Sequence, residues 1–217
     1  MASNNPEVEK EFRFFRVYKG GRVELFRPTC EKIPVSDDPV TGVRSKDVII
    51  SSEPPVSARI FLPRVTNPTQ KFPLLFYIHG GGFSMMSAFS PQYHEFCSTV
   101  AAKAGVVVVS VEYGLFPSRP IPACYEDSWA ALQWVAGHVN GNGPDQWLNQ
   151  HADFSKGSPF CFDTFLFQAG SGMVGGMVGG MVGGMMVKMK LLIVGNGATA
   201  TDRGTTAREG GAAAIVA

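Results

Sequence analysis

Two uninterrupted apolar runs limit what this chain can become. Leu74-Leu75-Phe76-Tyr77-Ile78 is one, and Gly105-Val106-Val107-Val108-Val109-Ser110-Val111 is the other. Neither alternates with polar residues, so both faces of each strand must be covered. Between them, Pro91 to Ala104 has helical character. After the second run, Pro120 and Pro122 precede a helical stretch from Ala123 to Val139. There Trp129, Leu132, Ala136 and Val139 recur at steps of 3, 4 and 3, one helix face. Asn140-Gly141 closes it. Buried strands alternating with helices predict an α/β architecture, a mostly parallel sheet with flanking helices. Upstream, Phe12–Lys19 and Arg22–Phe26 read as strands around Gly20-Gly21. Lys46–Ser51 and Ala58–Leu62 read as two more around Pro54-Pro55.

This pattern stops near Lys156. The 217 residues would make one or two domains at about 150 residues each. The stretch 157–217 is a Gly/Met-rich low-complexity tail holding fourteen of the 25 glycines and six of the nine methionines. Its centre, Gly172 to Val187, repeats Gly-Met-Val-Gly, a period too short for a solenoid unit. Seven glycines in the thirteen residues from Gly172 to Gly184 oppose a soluble helix, at about 1 kcal/mol each relative to alanine. An irregular or disordered tail is expected.

Charge narrows the partners. Lys plus Arg is 19 and Asp plus Glu is 18, a net charge of +1, which excludes a basic nucleic-acid footprint. Cys30, Cys97, Cys124 and Cys161 form no CxxC pair, so neither a zinc site nor a disulfide framework is signalled. Met1 to Phe12 is polar and acidic, unlike a signal peptide. A reducing compartment, cytoplasmic or nuclear, is therefore expected.

Chemistry is carried by His79-Gly80-Gly81-Gly82-Phe83, directly after the first apolar run. Three glycines let the backbone turn sharply and approach a ligand without Cβ clashes. Successive N–H groups in such a turn can converge on one negative oxygen. Acyl transfer needs such donors at the oxyanion of its tetrahedral intermediate. An HGGG-type loop of this kind is the oxyanion loop of lipase- and esterase-type α/β-hydrolases.

With Val108-Val109-Ser110-Val111-Glu112-Tyr113-Gly114-Leu115-Phe116-Pro117, Arg119-Pro120-Ile121-Pro122-Ala123-Cys124-Tyr125-Glu126-Asp127, Trp147-Leu148-Asn149 and His151-Ala152-Asp153-Phe154, a family likeness emerges. Residues from about 10 to 156 resemble the plant carboxylesterase branch of the hormone-sensitive-lipase-like α/β-hydrolases. Soluble gibberellin receptors belong to the same branch. The resemblance implies that residues 1–156 are the N-terminal part of an incomplete α/β-hydrolase domain, about half of a full family member. It implies that Gly81 and Gly82 supply oxyanion N–H groups, while His79 and Gly80 support the loop. Phe83 and the N-terminal segment would help line a pocket.

The rest of the machinery is not found. Ser84, Ser158 and Ser171 all fail the G-x-S-x-G pattern; Ser171, between small neighbours, comes nearest. His79, His94, His138 and His151 all precede any plausible elbow, whereas the fold's triad runs Ser, acid, His. A serine without a base is a poor nucleophile. His94 and His138 read as helix packing or surface residues, and His151 as a structural loop residue. Glu126 and Asp127 read as helix-start charges at the positive dipole end. Phe160–Phe167 could pair as a strand but carries no elbow, and the second apolar run expects a parallel neighbour that does. Thr164 to Val187 is uncharged with GxxxG spacings, yet half its centre is glycine, so a membrane span is not expected. Leu191 to Ala200 mimics a dinucleotide fingerprint, but only 17 residues follow it.

Three functions follow as expectations. The first is a carboxylic-ester hydrolase-like chain of the class acting on small or hydrophobic esters, expected to be inactive without its serine and histidine. The second is a non-catalytic module binding a carboxylate, hormone-like ligand. The third is a truncated product whose tail departs from the family, as a retained intron or shifted frame would make it. No cofactor and no metal is implied. The partner is a small-molecule ester or carboxylate, and no protein partner is named.

Overall fold

The computed structural model describes residues 7–12, 14–26 and 30–155, and the backbone of 156 and 160–162. Ser158, Ser171, the Thr164–Val187 span and the Leu191–Ala200 motif lie outside the described residues.

Near the N-terminus, β1 (Val8–Glu11), β2 (Phe15–Tyr18) and β3 (Val23–Leu25) form an antiparallel meander. Strand β1 carries no strand signal in the sequence: Val-Glu-Lys-Glu is exposed throughout and has no apolar face to mark it. The main sheet contains β4 (Arg44–Ser52), β5 (Pro55–Leu62), β6 (Phe72–Ile78), β7 (Val107–Glu112) and β8 (Ala152–Asp153). Their order is β4-β5-β7-β6-β8, and β9 (Phe160–Phe162) also pairs with β6. The β4–β5 and β5–β7 pairs are antiparallel; β6 pairs parallel with β7, β8 and β9. The expected extra strand thus exists over Phe160–Phe162, but its neighbour is the first apolar run. The second run lies between β5 and β6.

Helix α1 (Pro91–Ala104) connects β6 to β7. Its first turn is preset by Pro91, and its last is closed by the Gly105 N–H on the Ala101 carbonyl at 3.1 Å. Helix α2 (Ala123–Ala136) follows the proline pair, and α3 (Gln146–His151) is capped by the Asp145 side chain, which accepts from Leu148 N–H at 3.1 Å.

Alternation along β5, β6 and β7 divides the core. Ile60, Leu62, Leu74, Phe76, Ile78, Val107, Val109 and Val111 face α2 and α3. Phe61, Leu75, Tyr77 and Val108 face Cys97 and Ala101 of α1. Both faces are covered, as the apolar runs require. The predicted face of α2 is rotated. Cys124, Asp127, Ser128, Ala131, Leu132 and Val135 are buried, whereas Trp129 and Ala136 are only partly so. Asp127, bonded to the loop after β7, and Ser128, whose hydroxyl donates to the Cys124 carbonyl at 2.7 Å, occupy inward positions that an apolar count passes over. Val139 lies beyond the helix end.

Candidate functional site

Because β6 and β7 run parallel with Ile78 opposite Val111, both chains leave the sheet at the same end. His79 follows Ile78, and Glu112-Tyr113 follow Val111, so they become neighbours. His79 is buried; its Nδ1–H donates to the Gly80 carbonyl at 2.7 Å. Its ring lies flat on Tyr113, 4.3 Å between centroids at 11°. The Tyr113 hydroxyl donates to the His79 carbonyl at 2.8 Å. His79 thus ties the loop to β7, and its Nε2 is 3.7 Å from Glu112 Oε2.

The glycines then turn. Gly81 has φ 120°, and a Cβ there would collide with the Met85 carbonyl oxygen. The Gly81 carbonyl accepts from Ser84 N–H and Met85 N–H at 3.2 and 3.0 Å. Gly82 has φ 58° with open space where a Cβ would be. Among the described residues, neither the Gly81 nor the Gly82 N–H donates a hydrogen bond. Phe83 and Met86 also hold positive φ, 61° and 74°, at a cost of about 1–3 kcal/mol each.

Surrounding contacts hold that strain. Phe116 N–H donates to the Phe83 carbonyl at 2.8 Å, and the Phe83 ring packs 5.6 Å from Tyr125. The Glu112 carboxylate accepts from Ser87 Oγ at 2.8 and 2.9 Å, from Ala88 N–H at 2.7 Å and from Lys32 Nζ at 2.8 Å. Burial of Tyr125 pushes its phenol up to about 12, so it stays protonated at neutral pH. The N-terminal meander arrives through Phe15, 5.3 Å from Phe116 and stacked on Phe12 at 4.6 Å. Phe83 and the N-terminal segment therefore approach the same loop through Phe116.

Other sequence candidates have structural partners. Asp127 is not a plain helix-start charge: it is buried, and accepts from Gly114 N–H at 2.9 Å and Arg119 Nη2 at 2.6 Å. It anchors α2 to the loop after β7. Glu126 stays exposed. His94 lies within α1, whereas His138 lies just past the end of α2; both are buried. His138 Nε2 accepts the Asp145 N–H at 2.9 Å, so its Nδ1–H donates to the Trp134 carbonyl at the same distance. His151 Nδ1–H donates to the Gln70 carbonyl at 2.9 Å. Ser84 is buried inside the glycine turn.

Glu112 and Tyr113 lie within the family-like motif, yet the sequence alone gives them no role. The signal that places them beside His79 is the β6–β7 register, which no local pattern carries. Among the described residues no group of three or more His, Cys, Asp or Glu could hold a metal ion. No helix among them is long and apolar enough to cross a membrane.

Residues 75–157 match the α/β hydrolase fold family. The chain is similar to 2-hydroxyisoflavanone dehydratase of Glycyrrhiza echinata, 46% identical over 71% of this chain and 48% of that protein. It is 48% identical to probable carboxylesterase 5 of Arabidopsis thaliana over 69% of this chain and 48% of that protein. It therefore spans about half the length of these relatives. Among solved structures, vibralactone cyclase superposes with a TM-score of 0.47 at 25% identity, covering 60% of this chain and 34% of that one. Over residues from about 10 to 156, the chain is similar to the plant carboxylesterase-like, hormone-sensitive-lipase type of the α/β hydrolases.

Proposed function

We propose that this chain carries the oxyanion-loop portion of a carboxylic-ester hydrolase site whose substrates are small or hydrophobic esters. The reading rests on one observation. The Gly81 and Gly82 N–H groups donate no hydrogen bond among the described residues, in a loop clamped by Glu112 and Tyr113. In the proposed reaction they stabilise the tetrahedral oxyanion, while His79 and Gly80 hold the turn. One such donor is worth about 100- to 1,000-fold in kcat. The resemblance to a probable carboxylesterase supports the reaction class. The free thiols of Cys30, Cys97 and Cys124 fit a reducing compartment.

No serine among the 217 residues sits in a G-x-S-x-G pattern. The chain is accordingly expected to hydrolyse p-nitrophenyl butyrate within about tenfold of the buffer rate. Turnover near the enzyme median of about 10 s⁻¹ would overturn that part. The oxyanion role is tested by joining residues 1–156 to the C-terminal half of probable carboxylesterase 5. That chimera is expected to cleave the ester. Gly81→Ala, whose Cβ forces the loop open, is expected to lower its kcat about 100-fold with KM little changed. An unchanged kcat in a folded Gly81→Ala chimera would refute the role.

A further inference from the structure

Residues 30–36 form a strap across the junction between the glycine loop and α1. Ile33 N–H donates to the Phe89 carbonyl at 2.9 Å, and Lys32 Nζ reaches Glu112 at 2.8 Å. Ser36 N–H donates to Ser45 Oγ at 2.7 Å. The strap is tied down from below by Arg59 of β5, a fully buried guanidinium. Its Nη2 donates to the Ile33 carbonyl at 3.0 Å and its Nη1 to the Pro34 carbonyl at 3.4 Å. Its charge is met by Asp47 of β4, through Nε at 2.7 Å and Nη2 at 2.9 Å. Its flat face lies 4.9 Å from the Phe89 ring.

Arg59 Nη1 is also 3.0 Å from His94 Nδ1, and Ser36 Oγ is 2.9 Å from His94 Nε2. Arginine only donates. His94 Nδ1 must therefore be bare, and the single ring proton sits on Nε2, pointing at Ser36. A second proton has one place to go, Nδ1, directly against the guanidinium. The groups facing His94 are few. Arg59 and the Phe61 ring, 5.1 Å away, come from β5; Ser36 comes from the strap; Asp47 acts from β4. On its own helix, the His94 N–H is bonded to the Ser90 carbonyl.

We propose that His94 is a proton-operated latch. Protonation at Nδ1 expels Arg59 from the ring and frees the strap 30–36 from the loop–α1 junction. Losing the strap also removes Lys32 from Glu112, loosening the carboxylate that holds Ser87 and Ala88. This device does not depend on the chain being an ester hydrolase. Burial first, then the Arg59 charge, holds the His94 imidazole below its ordinary range, with Asp47 opposing. The folded state thus binds fewer protons than the open one. Opening is favoured progressively as pH falls below about 6.5, the unfolded value, and is suppressed at neutral pH.

The test is amide hydrogen exchange on the full 217-residue chain from pH 8 to pH 5, corrected for intrinsic rates. Peptides covering 30–36 and 84–90 are expected to lose protection below about pH 6.5. The loss should be about tenfold for each pH unit by which folding depresses the His94 titration. His94→Gln, whose amide can accept from Arg59 and donate to Ser36, is expected to keep protection flat across that range. Unchanged strap protection in the wild type, or the same acid loss in a folded His94→Gln, would overturn the proposal. So would acid loss confined to residues 143–149, where His138 accepts the Asp145 N–H. The wild type alone also decides it by NMR: His94 Nδ1 protonating at or above about 6.5 would refute the latch.

Discussion

On the α2 face of the main sheet, Leu74, Phe76, Ile78, Val107, Val109 and Val111 meet Leu132 and Val135 in an apolar cluster. On the α1 face, Phe61, Tyr77 and Val108 share the interior with a buried Arg59 and His94. The two faces are held by different physics. Apolar packing is non-directional and scales with the area removed from water. The Arg59 cluster is directional: its donors reach one carboxylate, two strap carbonyls and one imidazole. Asp47 is itself exposed, so the pair adds little cohesion, yet removing the buried guanidinium strips several acceptors of their donor and is costly. The α2 face accordingly supplies cohesion, and the α1 face fixes where the strap and α1 sit.

Four substitutions or measurements sharpen that contrast. Phe76→Ala, on the apolar face, should cost the most, about 3–5 kcal/mol, read as a lower urea midpoint. Arg59→Met should cost less, about 2–3 kcal/mol, because its apolar stem is kept while several acceptors lose a donor. Its signature should be local: exchange over residues 30–36 rising with little change in β6. Thiol alkylation should separate surface from interior. Cys30 is partly exposed, whereas Cys97 and Cys124 are buried and burial pushes the Cys124 thiol up to about 11. Peptide mapping at pH 8 should find Cys30 modified first, with Cys124 modified only after unfolding. Ile49→Thr, on the exposed side of β4, should shift stability by no more than about 0.5 kcal/mol. A large loss there would mean that the β4 edge is covered.

Part of this is visible in the sequence for a simple reason. Strands β6 and β7 are buried on both faces, so their residues read as continuous apolar runs, and Pro91 and Gly105 delimit α1 between them. The glycine loop is legible because three consecutive glycines after a buried strand suit little besides a tight turn whose backbone meets a ligand. What stays hidden depends on pairing. Arg59 sits in Ser57-Ala58-Arg59-Ile60, where an arginine would ordinarily mark the solvent side. Only its neighbours across the sheet reveal that it is buried. Asp127 reads like a dipole charge because Gly114 and Arg119 lie in a loop whose path no local pattern predicts. Glu112 needs the β6–β7 register before it can be placed beside His79.

Gly81 and Gly82 also differ in what variation the loop can absorb. A side chain at 81 collides with the Met85 carbonyl, whereas one at 82 extends into open space from a left-handed backbone. Asparagine and aspartate tolerate that conformation best among residues with a Cβ. Position 81 is thus closed to sequence drift, while position 82 can sample new chemistry at the loop tip without rebuilding the turn.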